Sequence, residues 1–139
     1  MDFDPARDYP LGTRRPDLVT TPAGLPLSEV TLDGARAGRL VPDDVRATPE
    51  TLRLQAAVAG AAGRAQLADN LERAAELTAV PEDELLAVYT ALRPRRSSAS
   101  ELAAWAARLD EWSAPRTAAF VREAASAYAE RGLLRGGTA

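Results

Sequence analysis

Apolar side chains recur at helical spacing through most of the chain after residue 48. The clearest case is a stripe at positions i, i+3, i+4 and i+7, formed by Leu85, Val88, Tyr89 and Leu92. A longer stripe consists of Leu102, Trp105, Ala106, Leu109 and Trp112. Two further helices are predicted to turn inward Leu67, Leu71, Ala74, Ala75, Phe120, Ala124, Ala127 and Tyr128. This spacing is typical of amphipathic helices, and no segment has the two-residue period of a strand.

The ends of the predicted helices carry capping residues, prolines and glycines. Thr48 can cap a first turn, and Pro49 suits the first helical position. Ser98 and Glu101 have the spacing of a capping box, whereas Gly63 favours a break. The five helices predicted in this way cover about residues 49–63, 65–78, 81–94, 98–112 and 115–132. A shorter helix is predicted over residues 31–38 and a turn over residues 42–45.

The first thirty residues have a different pattern. Seven of the ten prolines precede residue 50, and each proline fixes φ and lacks a backbone donor. The apolar residues of this region follow neither the helical nor the strand period, so the region is expected to lie on another surface. The sequence therefore predicts an all-α fold. We expect a compact bundle of about four to five helices over residues 31–139, preceded by an extended Pro-rich N-terminal arm over residues 1–30.

Large apolar side chains are few. Although 46% of the residues are hydrophobic, 30 of the 139 residues are alanine and 18 are leucine. A fully buried leucine or phenylalanine contributes about 1.5–3 kcal/mol, and an alanine contributes much less, so the core is expected to be thin. Such a chain either packs its helices closely or covers its apolar surface with a partner, and we favour the partner.

The residue types that are missing exclude most catalytic chemistry. The sequence contains no Cys and no His, and all 17 basic residues are Arg. Thiolate and imidazole metal sites, a Ser-His-Asp triad and lysine Schiff bases are therefore excluded. The net charge of −3 argues against nucleic acid as a partner. The first residues lack the pattern of a signal peptide, and no apolar run is long enough for a membrane span, so a cytoplasmic location without membrane partners is expected.

Two clusters of charged residues could bind a ligand, and each has a structural alternative. Glu72 and Glu76 could present two carboxylates to a metal. Because di-metal sites of helical bundles usually include His, a solvated charge network is favoured instead. Arg93, Arg95 and Arg96 could clamp an acidic group of a partner. They could instead complement the C-terminus of the preceding helix, and that interpretation is favoured.

A set of partner contacts is predicted from the aperiodic apolar residues and the exposed arginines. Its members are Tyr9, Leu11, Leu18, Arg53, Arg93 and Arg96. Trp105 and Trp112 are more often core residues at this spacing, although tryptophan is also enriched at interfaces. No catalytic, cofactor-binding or metal-binding residue is predicted in this chain.

Several segments resemble one protein family. They are DYPLGTRRPDLV (8–19), TPETLRLQA (48–56), the region 62–86 with its run NLERAAELTAVP, YTALRPRRSS (89–98) and AAFVREAASAYAERGLL (118–134). Together they cover nearly the whole chain and are similar to the small subunit of adenosylcobalamin-dependent diol dehydratase and glycerol dehydratase. Within this likeness TPETLRLQA resembles the diol enzymes, whereas residues 20–32 resemble the glycerol enzymes. The substrate preference therefore stays open.

The resemblance implies a small subunit without catalytic residues, in a dimer of heterotrimers with a large and a medium subunit. It implies that the assembled enzyme is a lyase that converts propane-1,2-diol, glycerol or ethane-1,2-diol to an aldehyde by a radical mechanism. In that family adenosylcobalamin lies between the large and medium subunits, so this chain is expected to bind no cofactor itself. Some relatives are packaged in a microcompartment through a longer N-terminal extension. The short N-terminus, in which the DYP motif starts at Asp8, does not support such packaging through this chain, and microcompartment association stays open.

A stand-alone helical interaction or regulatory module is the alternative function. A regulator with a helix-turn-helix needs a basic recognition helix, and the net negative charge argues against one. The resemblance favours the dehydratase subunit.

Overall fold

The computed structural model describes residues 2–136, and every regular element in this range is helical. Its α-helices are α1 (Leu11–Arg14), α2 (Leu32–Arg36), α3 (Pro49–Ala61), α4 (Ala65–Leu77), α5 (Glu82–Ala91), α6 (Ala99–Glu111) and α7 (Pro115–Glu130). Short 3₁₀ turns lie at Pro16–Leu18, Leu27–Glu29 and Pro42–Val45. The predicted all-α fold is confirmed. The five long helices, α3 to α7, match the predicted ones to within three residues at each end.

The described residues divide into two units between Thr78 and Ala79. The first unit contains α1 to α4, and the second contains α5 to α7. The predicted boundary between arm and helical domain at residue 30 falls inside the first unit and stays a prediction. None of the helices described here has both the length and the apolar character that crossing a membrane requires.

The start of the first unit is organised around Asp8. Asp8 is only 5% exposed. It accepts the backbone N–H of Asp4 at 3.0 Å and pairs with Arg7 at 2.9 Å and Arg15 at 3.1 Å. Leu11, on the short helix α1, is 2% exposed. The Pro-rich start of the chain therefore has hydrogen bonds and a buried apolar residue of its own.

Helices α3 and α4 pack against each other in the first unit. The Thr48 hydroxyl accepts the Thr51 N–H at 3.2 Å and caps α3 as predicted. Gly63 adopts a φ of 73° after α3, which is a conformation that glycine reaches without a steric penalty. The buried residues of α3 include Ala56 and Ala59, whose small side chains leave room for a neighbouring helix.

Helices α6 and α7 form the core of the second unit. Leu102 of α6 is 1% exposed, and Ala106 and Leu109 on the same helix are fully buried. Ala118 and Val121 of α7 are also fully buried. Three residues of the predicted apolar stripe of α6 are thus confirmed as core residues, whereas Trp105 and Trp112 are half-buried.

The capping box predicted at the start of α6 is confirmed. The Ser98 N–H donates to Glu101 Oε2 at 2.7 Å, and the Glu101 N–H donates to the Ser98 hydroxyl at 3.3 Å. Arg135 also donates to Glu101, at 2.7 Å. The Ser98 backbone donor and then the Arg135 guanidinium lower the pKa of the Glu101 carboxyl, so the cap is ionised at neutral pH.

Three residues that the periodicity places toward a core are exposed instead. Leu67 is 43% exposed, Tyr89 is 57% exposed and Phe120 is 42% exposed. The prediction is wrong for these residues because periodicity identifies the apolar side of a helix without showing how far its neighbour covers that side. Val88, which precedes Tyr89 on α5, is 2% exposed. The buried side of α5 therefore includes Val88 and excludes Tyr89.

Candidate partner interface

The six predicted partner contacts are distributed over both units. Those of the first unit are Tyr9, Leu11, Leu18 and Arg53, and those of the second unit are Arg93 and Arg96. The Tyr9 residue is 55% exposed. Leu18 is half-buried, and the three arginines are exposed. Five of the six therefore keep a surface that a partner could contact.

Leu11 is placed differently from the other five. It is the buried residue of α1, and at 2% exposure it belongs to the core of its own unit. The ion pairs of Asp8 fix the turn that precedes α1, and this allows one apolar side chain of the segment to be covered. A contact between Leu11 and a partner stays a prediction, and the burial argues against it.

A row of exposed side chains follows one side of α5. Leu86 is 68% exposed and Tyr89 is 57% exposed. Arg93 continues the i, i+3, i+7 spacing just beyond the end of the helix, and Arg96 follows in the loop. We call Leu86, Tyr89, Arg93 and Arg96 the α5 surface. It combines two large apolar side chains with two cations.

The loop that carries these cations is attached to the C-terminal part of the second unit. The Arg95 N–H donates to the Leu133 carbonyl at 2.7 Å. The Arg135 N–H donates to the Ser97 carbonyl at 2.8 Å, and the Ser97 hydroxyl donates to the Ala91 carbonyl at 2.9 Å. The backbone between α5 and α6 is therefore held at several points.

The guanidinium groups of this loop have no acidic partner in the part of the chain that the structure describes. Arg93, Arg95 and Arg96 form no ion pair there, although other arginines of the same unit do. Their position after α5 suits the negative end of the helix dipole. The same groups can also grip a carboxylate with two parallel donors. The α5 surface therefore fits a partner that is apolar with acidic groups at one edge.

Trp105 and Trp112 are half-buried in the second unit. The Arg108 guanidinium lies 5.0 Å from the centre of the Trp105 ring and 5.2 Å from that of Trp112. Arg108 also pairs with Glu84 of α5. The rings thus interact with a cation of their own chain, in a geometry that gives cation–π attraction. This agrees with a structural role for the two tryptophans.

Sequence reasoning does not identify Leu86 as an interface residue. The apolar stripe of α5 contains the adjacent Leu85, and Leu86 lies outside it. A leucine next to such a stripe, followed by a cluster of arginines, is the signal that could have found it. Glu72 and Glu76 lie on α4, and residues 2–136 contain no group of three or more acidic side chains placed to hold a metal ion.

Comparison with known proteins gives the family. The family model of the dehydratase small subunit matches residues 5–135. The propanediol dehydratase small subunit of Salmonella typhimurium is 51% identical to this chain over 130 residues, which cover 93% of this chain and 75% of that protein. The propanediol dehydratase small subunit of Citrobacter freundii is also 51% identical over 130 residues, with coverage of 93% and 76%. The chain therefore belongs to the dehydratase small-subunit family.

Proposed function

We propose that this chain is the small subunit of a propanediol dehydratase and that it serves the assembled enzyme as a non-catalytic helical subunit. The observation that carries the proposal is the 51% identity to two propanediol dehydratase small subunits over 93% of the chain. Identity at this level extends over both units of the structure and is not restricted to a single motif.

The residue inventory supports the non-catalytic part of the proposal. With no His, Cys or Lys, the chain has no side chain that commonly exchanges protons near neutral pH and no thiolate or amine nucleophile. Two of its carboxylates have structural roles, because Asp8 forms an ion pair and Glu101 caps a helix. The dehydration of the diol to an aldehyde is accordingly assigned to the large subunit.

The cofactor of the proposed enzyme is adenosylcobalamin, as the resemblance implies. The same resemblance gives this chain no part in binding it, and the buried residues of the chain are chiefly small and apolar. We assign the cofactor to the large and medium subunits and no step of the reaction to this chain.

The proposed partners are the large and medium subunits, in a dimer of heterotrimers located in the cytoplasm. Support for a protein partner comes from the α5 surface, where Leu86 and Tyr89 are more than half exposed and are followed in the chain by arginines that lack acidic partners among the described residues. Burying two such side chains against another subunit removes apolar surface from water and so favours association, against the entropy cost of binding.

Co-expression tests the proposed role. The large and medium subunits are produced with and without this chain, and the mass of the purified complex is measured together with aldehyde formation in the presence of adenosylcobalamin. We expect the three-chain complex to form and to be the active species. Recovery of this chain as a free monomer, with the other two subunits fully active alone, would refute the proposal.

The same complex tests the substrate. Propane-1,2-diol, glycerol and ethane-1,2-diol are compared by kcat/KM for aldehyde formation. We expect the highest value for propane-1,2-diol, since both curated relatives are propanediol dehydratase subunits. A higher value for glycerol would contradict the substrate assignment and leave the subunit role intact.

A further inference from the structure

A cavity of about 240 Å³ lies in the first unit, next to the turn Pro42–Val45. Its apolar walls include Val19, Leu27 and Val30, and Val45, which is 73% exposed, lies at its rim. Asp44 also lines the cavity. The site is therefore mostly apolar and contains one carboxylate.

One oxygen of that carboxylate has no partner. Asp44 is 5% exposed, and its Oδ2 accepts the Val41 N–H at 2.9 Å. Its Oδ1 is buried and has no hydrogen-bond partner in the described part of the chain. An unpaired carboxylate oxygen away from water is disfavoured, so a protein that contains one usually supplies a donor from elsewhere.

The arginine that lines the same cavity does not supply that donor. Arg46 also lines the cavity, but its guanidinium pairs with Asp43 at 3.2 Å. The sequence contains no Lys, so a lysine ammonium could come only from another chain.

The cavity is better suited to a side chain than to water alone. A water molecule occupies about 30 Å³ of the liquid and needs two to four polar partners. The threonines of the lining, Thr20, Thr21, Thr48 and Thr51, offer hydroxyl groups, but the valine and leucine walls offer none. A lysine or arginine has an aliphatic stem that packs on apolar walls and a cationic end that donates to a carboxylate. The stem of such a side chain would cover the apolar walls, and its cationic end would donate a hydrogen bond to Oδ1.

We propose that a basic side chain of the large dehydratase subunit enters this cavity and pairs with Oδ1 of Asp44, an inference that rests on the proposed function. The cavity would then be a contact point of the first unit with the large subunit. Its place is distinct from the α5 surface, which belongs to the second unit.

The exchange Asp44→Asn tests the proposal in the full chain. The amide oxygen can still accept the Val41 N–H, whereas the negative charge is lost and an NH₂ group faces the incoming cation. We expect the Kd for the large subunit to rise at least tenfold, which corresponds to about 1.4 kcal/mol. The matched control is Asp33→Asn, an exposed residue of the same unit with the same change in charge, for which the Kd should stay within twofold.

The thermal unfolding of the free Asp44→Asn chain is measured in parallel. We expect a midpoint equal to or above that of the wild type, because the exchange removes a buried charge that forms no ion pair among the described residues of the free chain and keeps the hydrogen bond from the Val41 N–H. Weaker binding combined with unchanged folding supports the proposal. Binding of Asp44→Asn within twofold of the wild type would overturn it.

A structure of the wild-type complex, which needs no variant, gives a second test. We expect a lysine or arginine of the large subunit in the cavity. Water alone at Oδ1 would overturn the inference while the proposed function stands. Failure of the wild-type chain to bind the large subunit at all would instead refute the proposed function.

Discussion

At the scale of single residues, Asp8 explains how a Pro-rich segment keeps a defined shape. Its carboxylate accepts hydrogen bonds from the Arg7 side chain, from the Asp4 N–H and from Arg15, which directly follows α1. These donors, with Arg7 as the largest cause, hold the pKa of the Asp8 carboxyl well below its usual range. The ionised carboxylate therefore connects three parts of the first fifteen residues.

This pKa predicts a loss of stability in acid. The unfolded carboxyl titrates near pKa ~3.9, so Asp8 stabilises the fold above that pH, and its contribution is lost as the pH falls toward the lower folded pKa. We expect Asp8→Asn to unfold at a lower temperature than the wild type at pH 7. Its unfolding temperature should also fall less than that of the wild type between pH 5 and pH 2.5.

Calorimetry over this pH range provides the measurement, with Asp2→Asn as the control. The exchange at Asp2 removes an equal charge. Arg15 donates to the backbone carbonyl of Asp2, and the exchange leaves that hydrogen bond in place. An acid-induced decrease that is the same in Asp8→Asn and in the wild type would contradict the role of Asp8.

Tyr9 and Leu11 provide a second prediction at this scale. Leu11→Ala removes a core side chain and should lower the free energy of unfolding by about 2–5 kcal/mol. Tyr9→Ala changes a residue that is 55% exposed and should leave the free energy of unfolding within about 0.5 kcal/mol. Urea denaturation of the two full-length variants measures both. Equal destabilisation by the two exchanges would contradict the assignment of Leu11 to the core and of Tyr9 to the surface.

At the scale of the elements, alanine makes the close packing of α6 on α7 possible. Ala106 and Ala118 have no exposed surface, and each lies in a helix that also buries larger side chains. A larger side chain at either position must displace its neighbours, because protein interiors leave few voids.

Ala106→Leu should therefore lower the free energy of unfolding by about 1–3 kcal/mol. The control is Ala103→Leu, which places the same side chain on the exposed side of the same helix and should change the free energy of unfolding by less than about 0.5 kcal/mol. Denaturant unfolding compares the two variants. Equal effects would mean that the small residue at position 106 has no packing role.

The boundaries of the elements could be predicted because they depend on local chemistry. Thr48 and the pair Ser98 and Glu101 cap their helices through residues three positions apart, and the sequence alone displays that spacing. Burial depends on which elements meet, and a single helix pattern does not contain that information. Tyr89 is therefore wrongly placed in a core, and Leu11, predicted as a partner contact, lies in the core of its own unit.

At the scale of the whole molecule, the thin core expected from composition corresponds to the buried residues observed. Alanine and valine are prominent among them, and only four leucines are included: Leu11, Leu54, Leu102 and Leu109. Several larger apolar residues stay exposed, two of them on the α5 surface. The candidate site is only partly predictable, since Arg93 and Arg96 are visible as a basic cluster, whereas Leu86 is indicated only by its position between the apolar stripe of α5 and that cluster.

The α5 surface gives a prediction for assembly. The double exchange Leu86→Ser and Tyr89→Ser should raise the Kd for the large subunit about tenfold or more while the helical signal of the free chain is unchanged. Ala104→Ser, on the exposed side of α6, is the control and should have no effect on Kd. Isothermal titration of the purified subunits supplies the values. Unchanged affinity of the double variant would remove this surface from the interface.

The bonds that attach the arginine loop to the last part of the chain have a further consequence for recognition. Because Leu133 and Arg135 hold the backbone on both sides of Arg96, the loop has little conformational freedom to lose when a carboxylate approaches. A flexible loop would lose about 1–2 kcal/mol of backbone entropy for each residue it orders on binding. Preorganisation of this kind lets a few surface cations contribute more to affinity than they would on a flexible loop.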